Sequence, residues 1–189
     1  MSWTYHKAAF SLLVALFLVG VDHVQYATPG AGPEGALKLT STAFQRDATI
    51  PKKHTCEGQD VSPPLNWNDP PTATKAFALI VDDPDAPGGT WVHWVLYDLQ
   101  GDARSLPENL PKTNELTNGA RQGRNDFAGI GYSGPCPPPG PAHRYFFKLD
   151  ALDAKLDLSP GASKAEVEKA MKGHILREAH LVGRYGRGR

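Results

Sequence analysis

Hydrophobic and polar positions alternate, cluster and break along this chain in a way that predicts strands far more often than helices. Leu37 and Leu39 alternate with polar neighbours, as in an edge strand. Residues 47–72 are rich in turn formers, and only Leu65 and Trp67 stand out there as core anchors. Two strong apolar runs follow, at about 75–82 and 90–99. The second is apolar at nearly every position, which predicts a central strand covered on both faces. A period of two would put Trp91, His93, Val95 and Tyr97 on one face and Val92, Trp94 and Leu96 on the other. A third strong run, His143 to Leu149, places His143, Tyr145 and Phe147 on one face. Ser163 and Glu166 have the spacing of a capping box, and Val167, Ala170, Met171 and Ile175 form an apolar helical stripe that Gly173 ends. Ala179 to Tyr185 reads as a last strand. From Arg104 to Pro141 there is little periodicity, and its Pro and Gly content suggests an ordered loop with a function.

Composition agrees with that pattern. With 189 residues, 40% of them hydrophobic, the chain can form one domain with a real core, and its 19 Gly and 17 Pro favour a β-rich fold with long ordered loops over a helical bundle. The 20 basic and 20 acidic residues cancel, which removes the electrostatic footprint of a nucleic-acid-binding protein. The N-terminus is separate in character. Lys7 precedes an uncharged apolar run from Ala8 to Val21, short for a membrane span and typical of a secretory signal over residues 1–27. An uncleaved anchor is the alternative. Residues 28–36 have the composition of a flexible linker, and a single domain spans 37–189 with no further membrane-spanning run. The expected location is therefore periplasmic or extracellular. Cys56 and Cys136 are the only cysteines. An exported chain with an even count invites a disulfide; two buried free thiols are the other reading. Neither cysteine has a second Cys or His at ligand spacing, so no metal site is expected.

The chemistry gathers around Asp82-Asp83-Pro84-Asp85-Ala86-Pro87-Gly88-Gly89, a stiff acidic turn joining the first two strong runs. It delivers Asp83 and Asp85 to the neighbourhood of His93 by short covalent paths. A single histidine on an apolar strand is more often a satisfied core residue, so the case rests on the whole set. Asp83-Pro84-Asp85-Ala86-Pro87, Trp91-Val92-His93-Trp94, Gly131-Tyr132-Ser133-Gly134-Pro135-Cys136-Pro137-Pro138 and His143-Arg144-Tyr145 occur in the order and spacing of the phosphatidylethanolamine-binding proteins. The chain resembles the prokaryotic Raf-kinase-inhibitor-like branch of that family from about Leu37 to Tyr185.

That resemblance implies a large central antiparallel sheet packed on a smaller sheet, with helical elements on the other side. It also implies a small pocket for phosphate, phosphoryl headgroups or carboxylates, formed by Asp83, Asp85, His93, His143 and Tyr145, with the Gly131–Pro137 loop, including Tyr132, as a wall. A cis Ala86–Pro87 bond is implied as well. The expected chemistry has Asp83 and Asp85 accepting hydrogen bonds from His93, Tyr145 or backbone N–H groups, so that protonated histidines face the anion. No cofactor is implied. Two rival classes stand beside this binding protein. A serine-protease inhibitor would act through the 104–141 loop surface. A hydrolase would use His and Asp as acid and base, but Pro135 breaks the G-x-S-x-G pattern at Gly131-Tyr132-Ser133-Gly134.

Overall fold

The run of eight apolar and acidic residues before the turn becomes β3 (Ala76–Asp83), buried throughout, and its return becomes β4 (Trp91–Gln100). In this computed structural model, which describes Met1 and residues 35–188, the chain divides into a unit over 1–32 and a unit over 33–189. The expected signal segment lies outside the described residues.

The second unit also contains β1 (Lys38–Thr40), β2 (Leu65–Asn68), the short β5 (Ser105–Leu106) and β6 (Arg121–Gln122), β7 (His143–Leu152), helix α1 (Lys164–Met171) and β8 (Ile175–Tyr185). All strand pairs are antiparallel. A five-stranded sheet runs β6-β4-β3-β7-β8, and a three-stranded sheet runs β1-β2-β5. The expected β-rich fold of a large sheet, a smaller sheet and one helix is the one observed.

Two apolar layers flank the large sheet. Leu39, Leu65, Trp67 and Leu106 of the small sheet pack with Phe77, Leu79, Trp94, Leu96, Tyr145 and Phe147 of the large one. Trp67 meets Phe77 edge-on at 5.4 Å. On the opposite face Ala78, Ile80, Val95, Tyr97 and Leu152 pack against Val167 and Met171 of α1. Both halves of the capping box form, Ser163 with Glu166, and Gly173 follows the helix at φ 84°, a left-handed position that suits glycine. Ile175 is not on the helical stripe; it begins β8 and is 40% exposed. That last strand starts four residues earlier than the apolar pattern indicates, because pairing with β7 continues through polar positions.

Two expectations for β4 change. It is covered on both faces, but β3 is the central strand and β4 has only the two-residue β6 beyond it. The alternation of period two also fails near its start. Register passes from Val81↔Trp94 to Asp82↔Val92, leaving His93 as an extra residue on β4. This bulge turns Val92 into the helix-side layer with Val95 and Tyr97, and swings His93 toward the layer between the sheets. A second slip, between Phe77↔Leu99 and Leu79↔Leu96, surrounds Asp98 at φ 56°.

Among the described residues no helix is long and apolar enough to cross a membrane.

Candidate functional site

The bulge matters because it aims His93 at a cavity. About 220 Å³ lies at the ends of β3, β4 and β7, lined by Asp83, Pro87, Trp91, His93, Phe127, Pro137 and His143 among others. The acidic turn forms one side. Its reversal uses Gly89 at φ 106°, whose N–H donates to the Ala86 carbonyl at 3.1 Å. The Ala86–Pro87 bond expected to be cis is trans, since no cis peptide occurs among the described residues.

Adjacent aspartates diverge because successive strand residues point to opposite faces. Asp82 faces α1, where it accepts from Lys148 at 2.8 Å and Lys164 at 2.6 Å. Asp83 faces the cavity. Its carboxylate accepts from His143 Nδ1 at 2.8 Å and from the Asp85 N–H at 2.8 Å. Asp85 does not line the cavity. Both of its oxygens are taken by Arg144, through the backbone N–H, Nε and Nη2 at 2.7–2.9 Å, and that guanidinium holds the carboxyl at about 2. Both aspartates thus accept from backbone N–H groups, as expected, but their side-chain partners are His143 and Arg144 and not His93.

His93 has a different partner. Its Nδ1 lies 2.7 Å from the Ser133 carbonyl, and the Ser133 N–H donates to the His93 carbonyl at 2.9 Å. A carbonyl can only accept, so Nδ1 carries the proton and Nε2 is left for a ligand. Burial holds this imidazole below its ordinary value, against the opposing pull of the Ser133 carbonyl and Asp83. The ring stands edge-on to Tyr145 at 5.1 Å and to Phe127 at 5.3 Å. Tyr145 is buried beside His93, with its hydroxyl toward Asp83. Burial, then the charge of Asp83, raises that hydroxyl far above the normal phenol range.

The wall comes from the long irregular stretch. Cys136, Pro137 and Pro138 face the cavity, whereas Gly131 and Tyr132 do not. Tyr132 is buried and donates to the His54 carbonyl at 2.7 Å. Gly134 donates its N–H to Asp60 at 2.6 Å, Cys56 donates to the Pro135 carbonyl at 3.1 Å, and Cys56 is disulfide-bonded to Cys136. Gly134 is required by close approach, since a Cβ there would sit 2.2 Å from the His54 carbonyl oxygen. Asn125 adds bonds to the Gly131 carbonyl and the Ser133 hydroxyl at 2.9 and 3.1 Å.

Sequence reasoning missed Phe127, Asp60 and Asn125. Phe127 was findable, as a lone aromatic in the polar turn Asn125-Asp126-Phe127-Ala128-Gly129; it is 44% exposed and meets Trp91 at 5.4 Å to form the mouth. Asp60 and Asn125 had no such signal, because polar residues in turns are ordinary.

The chain that builds this cavity has known relatives. The family model for phosphatidylethanolamine-binding protein matches residues 40–186. The chain belongs to the phosphatidylethanolamine-binding protein family. A UPF0098 protein of Methanothermobacter thermautotrophicus is 51% identical over 152 residues, covering 80% of this chain and 100% of that one. A UPF0098 protein of Aquifex aeolicus is 50% identical over 153 residues, covering 80% and 89%. Among solved structures, E. coli YbcL, described as a new member of the mammalian phosphatidylethanolamine-binding protein family, superposes with a TM-score of 0.75 at 33% identity, covering 81% of this chain and 99% of its own. A homolog of the same family from Chlamydia trachomatis gives 0.74 at 41%, covering 80% and 98%. Membership in the phosphatidylethanolamine-binding protein family points to a protein that acts by binding.

Proposed function

We propose that this protein binds a small phosphate-, phosphoryl- or carboxylate-bearing ligand in the 220 Å³ cavity, without turning it over. The observation that carries this reading is the pair of cavity histidines whose Nδ1 atoms are both fixed, His93 on Ser133 and His143 on Asp83. Fixing Nδ1 orients both rings and leaves both Nε2 atoms as the groups that meet a ligand. Protonated, they donate to an anion. Asp83 balances the charge of His143 instead of competing for the ligand, and Asp85 is already neutralised by Arg144.

Burial keeps His93 neutral in the free protein near neutral pH. Anion binding must therefore recruit a proton, and affinity rises as pH falls. Hydrolysis finds no support in this arrangement. Ser133 presents its carbonyl to the imidazole, while its hydroxyl accepts from Asn125. An exported location is part of the proposal, supported by the Cys56–Cys136 pairing and the apolar N-terminal pattern.

Calorimetric titration with phosphate and phosphoethanolamine, at about pH 6 and pH 8 in two buffers of different ionisation enthalpy, tests this reading. The expected result is tighter binding at the lower pH with net proton uptake, weakened about tenfold or more in His93→Ala and His143→Ala, the loss of one charge-assisted hydrogen bond. Equal affinity at both pH values with no proton uptake would overturn it.

A further inference from the structure

A second cavity, of about 280 Å³, opens on the opposite face of the large sheet, where α1 leaves β7 and β8 uncovered. The strand register writes its floor as a grid. Ala78, Asp150 and Glu178 lie in one row, and Ile80, Lys148 and His180 in the next. Glu168, Met171 and Ile175 complete the lining. Asp150 thus stands directly across from Glu178, a like-charge pair that costs sheet stability unless something positive sits between.

Asp150 is 94% buried, since only 6% of it is exposed, and among the described residues its carboxylate makes no hydrogen bond or ion pair. The nearest cations are already engaged. Lys148 and Lys164 both bond Asp82, one row further along the sheet. His180 is half-exposed and only 3.9 Å from Glu178. Its oxygens open onto the cavity, and ionising them there costs more than in free water. The acidic groups do not converge as metal ligands do, for no set of three or more His, Cys, Asp or Glu residues among the described residues could hold a metal ion. The apolar lining from Ile80, Met171 and Ile175 suits a cation with a hydrocarbon stem.

We propose that this cavity is a second ligand site, one that takes an alkylammonium group: the ammonium seats between the Asp150 and Glu178 carboxylates, and its stem lies along Ile80, Met171 and Ile175. Free amines and lysine side chains share this chemistry. Burial, then the charges of Glu178 and Glu168 against that of Lys148, raises the Asp150 carboxyl to about 7. The site therefore takes its cation best above that value, where Asp150 is ionised. Lys148, Glu168, Glu178 and His180 are the other charged or titratable groups that face it.

The two methionines of the chain are Met1 and Met171, so a methyl-labelled methionine spectrum reports this cavity through one assignable signal. Butylammonium titrated into the full chain at about pH 8 should shift the Met171 methyl saturably, while sodium chloride at matched ionic strength and butanol should not. Affinity should fall about tenfold at pH 6, following the ionised fraction of Asp150, and about tenfold or more in Asp150→Asn and in Glu178→Gln. Glu178 is exposed, so its variant tests the site independently of any change within the core at Asp150. Putrescine against Nα-acetyl-lysine methylamide separates the two sources, the tighter binder naming the natural one. A Met171 shift that is unsaturable, reproduced by butanol, or unchanged in either variant would overturn the proposal.

Discussion

Replacing Asp150 by Asn should stabilise this protein, and by an amount that grows with pH. The folded state raises the Asp150 carboxyl from 3.8 to about 7, so the native protein holds that proton more tightly than the unfolded chain does. The sign follows from linkage. Below 3.8 both states are protonated and ionisation costs nothing; between 3.8 and about 7 the penalty accumulates as pH rises; above 7 it is complete. At ~1.4 kcal/mol per unit of pKa difference, the full penalty is about 4 kcal/mol, and it is only about 0.5 kcal/mol at pH 4. Asparagine has the shape of the protonated acid and cannot ionise, so the variant escapes the pH-dependent part. Urea unfolding of both proteins at about pH 4 and pH 8.5 should show the stability difference moving by about 3.5 kcal/mol in favour of Asp150→Asn at the higher pH. A difference that stays constant across that range would refute the reasoning, because it would mean that Asp150 ionises in the fold as easily as in water. Amine ligands supply an internal check: added at pH 8.5, butylammonium should stabilise the natural protein and not the variant.

Reducing the disulfide, or replacing Cys56 and Cys136 by Ser, frees a closed loop 80 residues long and should lower unfolding stability by about 2–5 kcal/mol, read as the shift in urea midpoint with and without reductant. Asp82→Asn should cost about 3–5 kcal/mol, because it strips two lysines of the one buried carboxylate they share; thermal melts near neutral pH measure this, and a loss below 1 kcal/mol would show that the lysines reach water instead. Gly134→Ala should weaken phosphate binding together with stability, since its methyl group meets the His54 carbonyl at 2.2 Å and must displace the wall that orients His93. Asp85→Asn should change stability by well under 1 kcal/mol near neutral pH, because its pair with Arg144 is exposed, and even that contribution fades as pH falls from 3.8 through about 2.

The sequence alone determined the elements whose pattern is strong and local. β3, β4 and β7 were legible from their apolar runs, and α1 from its capping box, because burial of long apolar stretches and the satisfaction of helix-end N–H groups are decided within a few residues. The acidic turn and the histidine-bearing strands marked where chemistry concentrates, and the order of the motifs gave the family. The tertiary structure decided everything that depends on register and on who reaches whom. One extra residue at His93 reversed the faces of β4, a slip that no period-two reading can foresee because it is set by pairing with β3. Asp85 paired with Arg144, and His93 with the Ser133 carbonyl, because fold geometry brought those partners nearer than the ones the sequence suggested. Asp150 and Glu178 drew no notice in the linear sequence; only the antiparallel pairing of β7 with β8 sets two carboxylates 28 residues apart face to face.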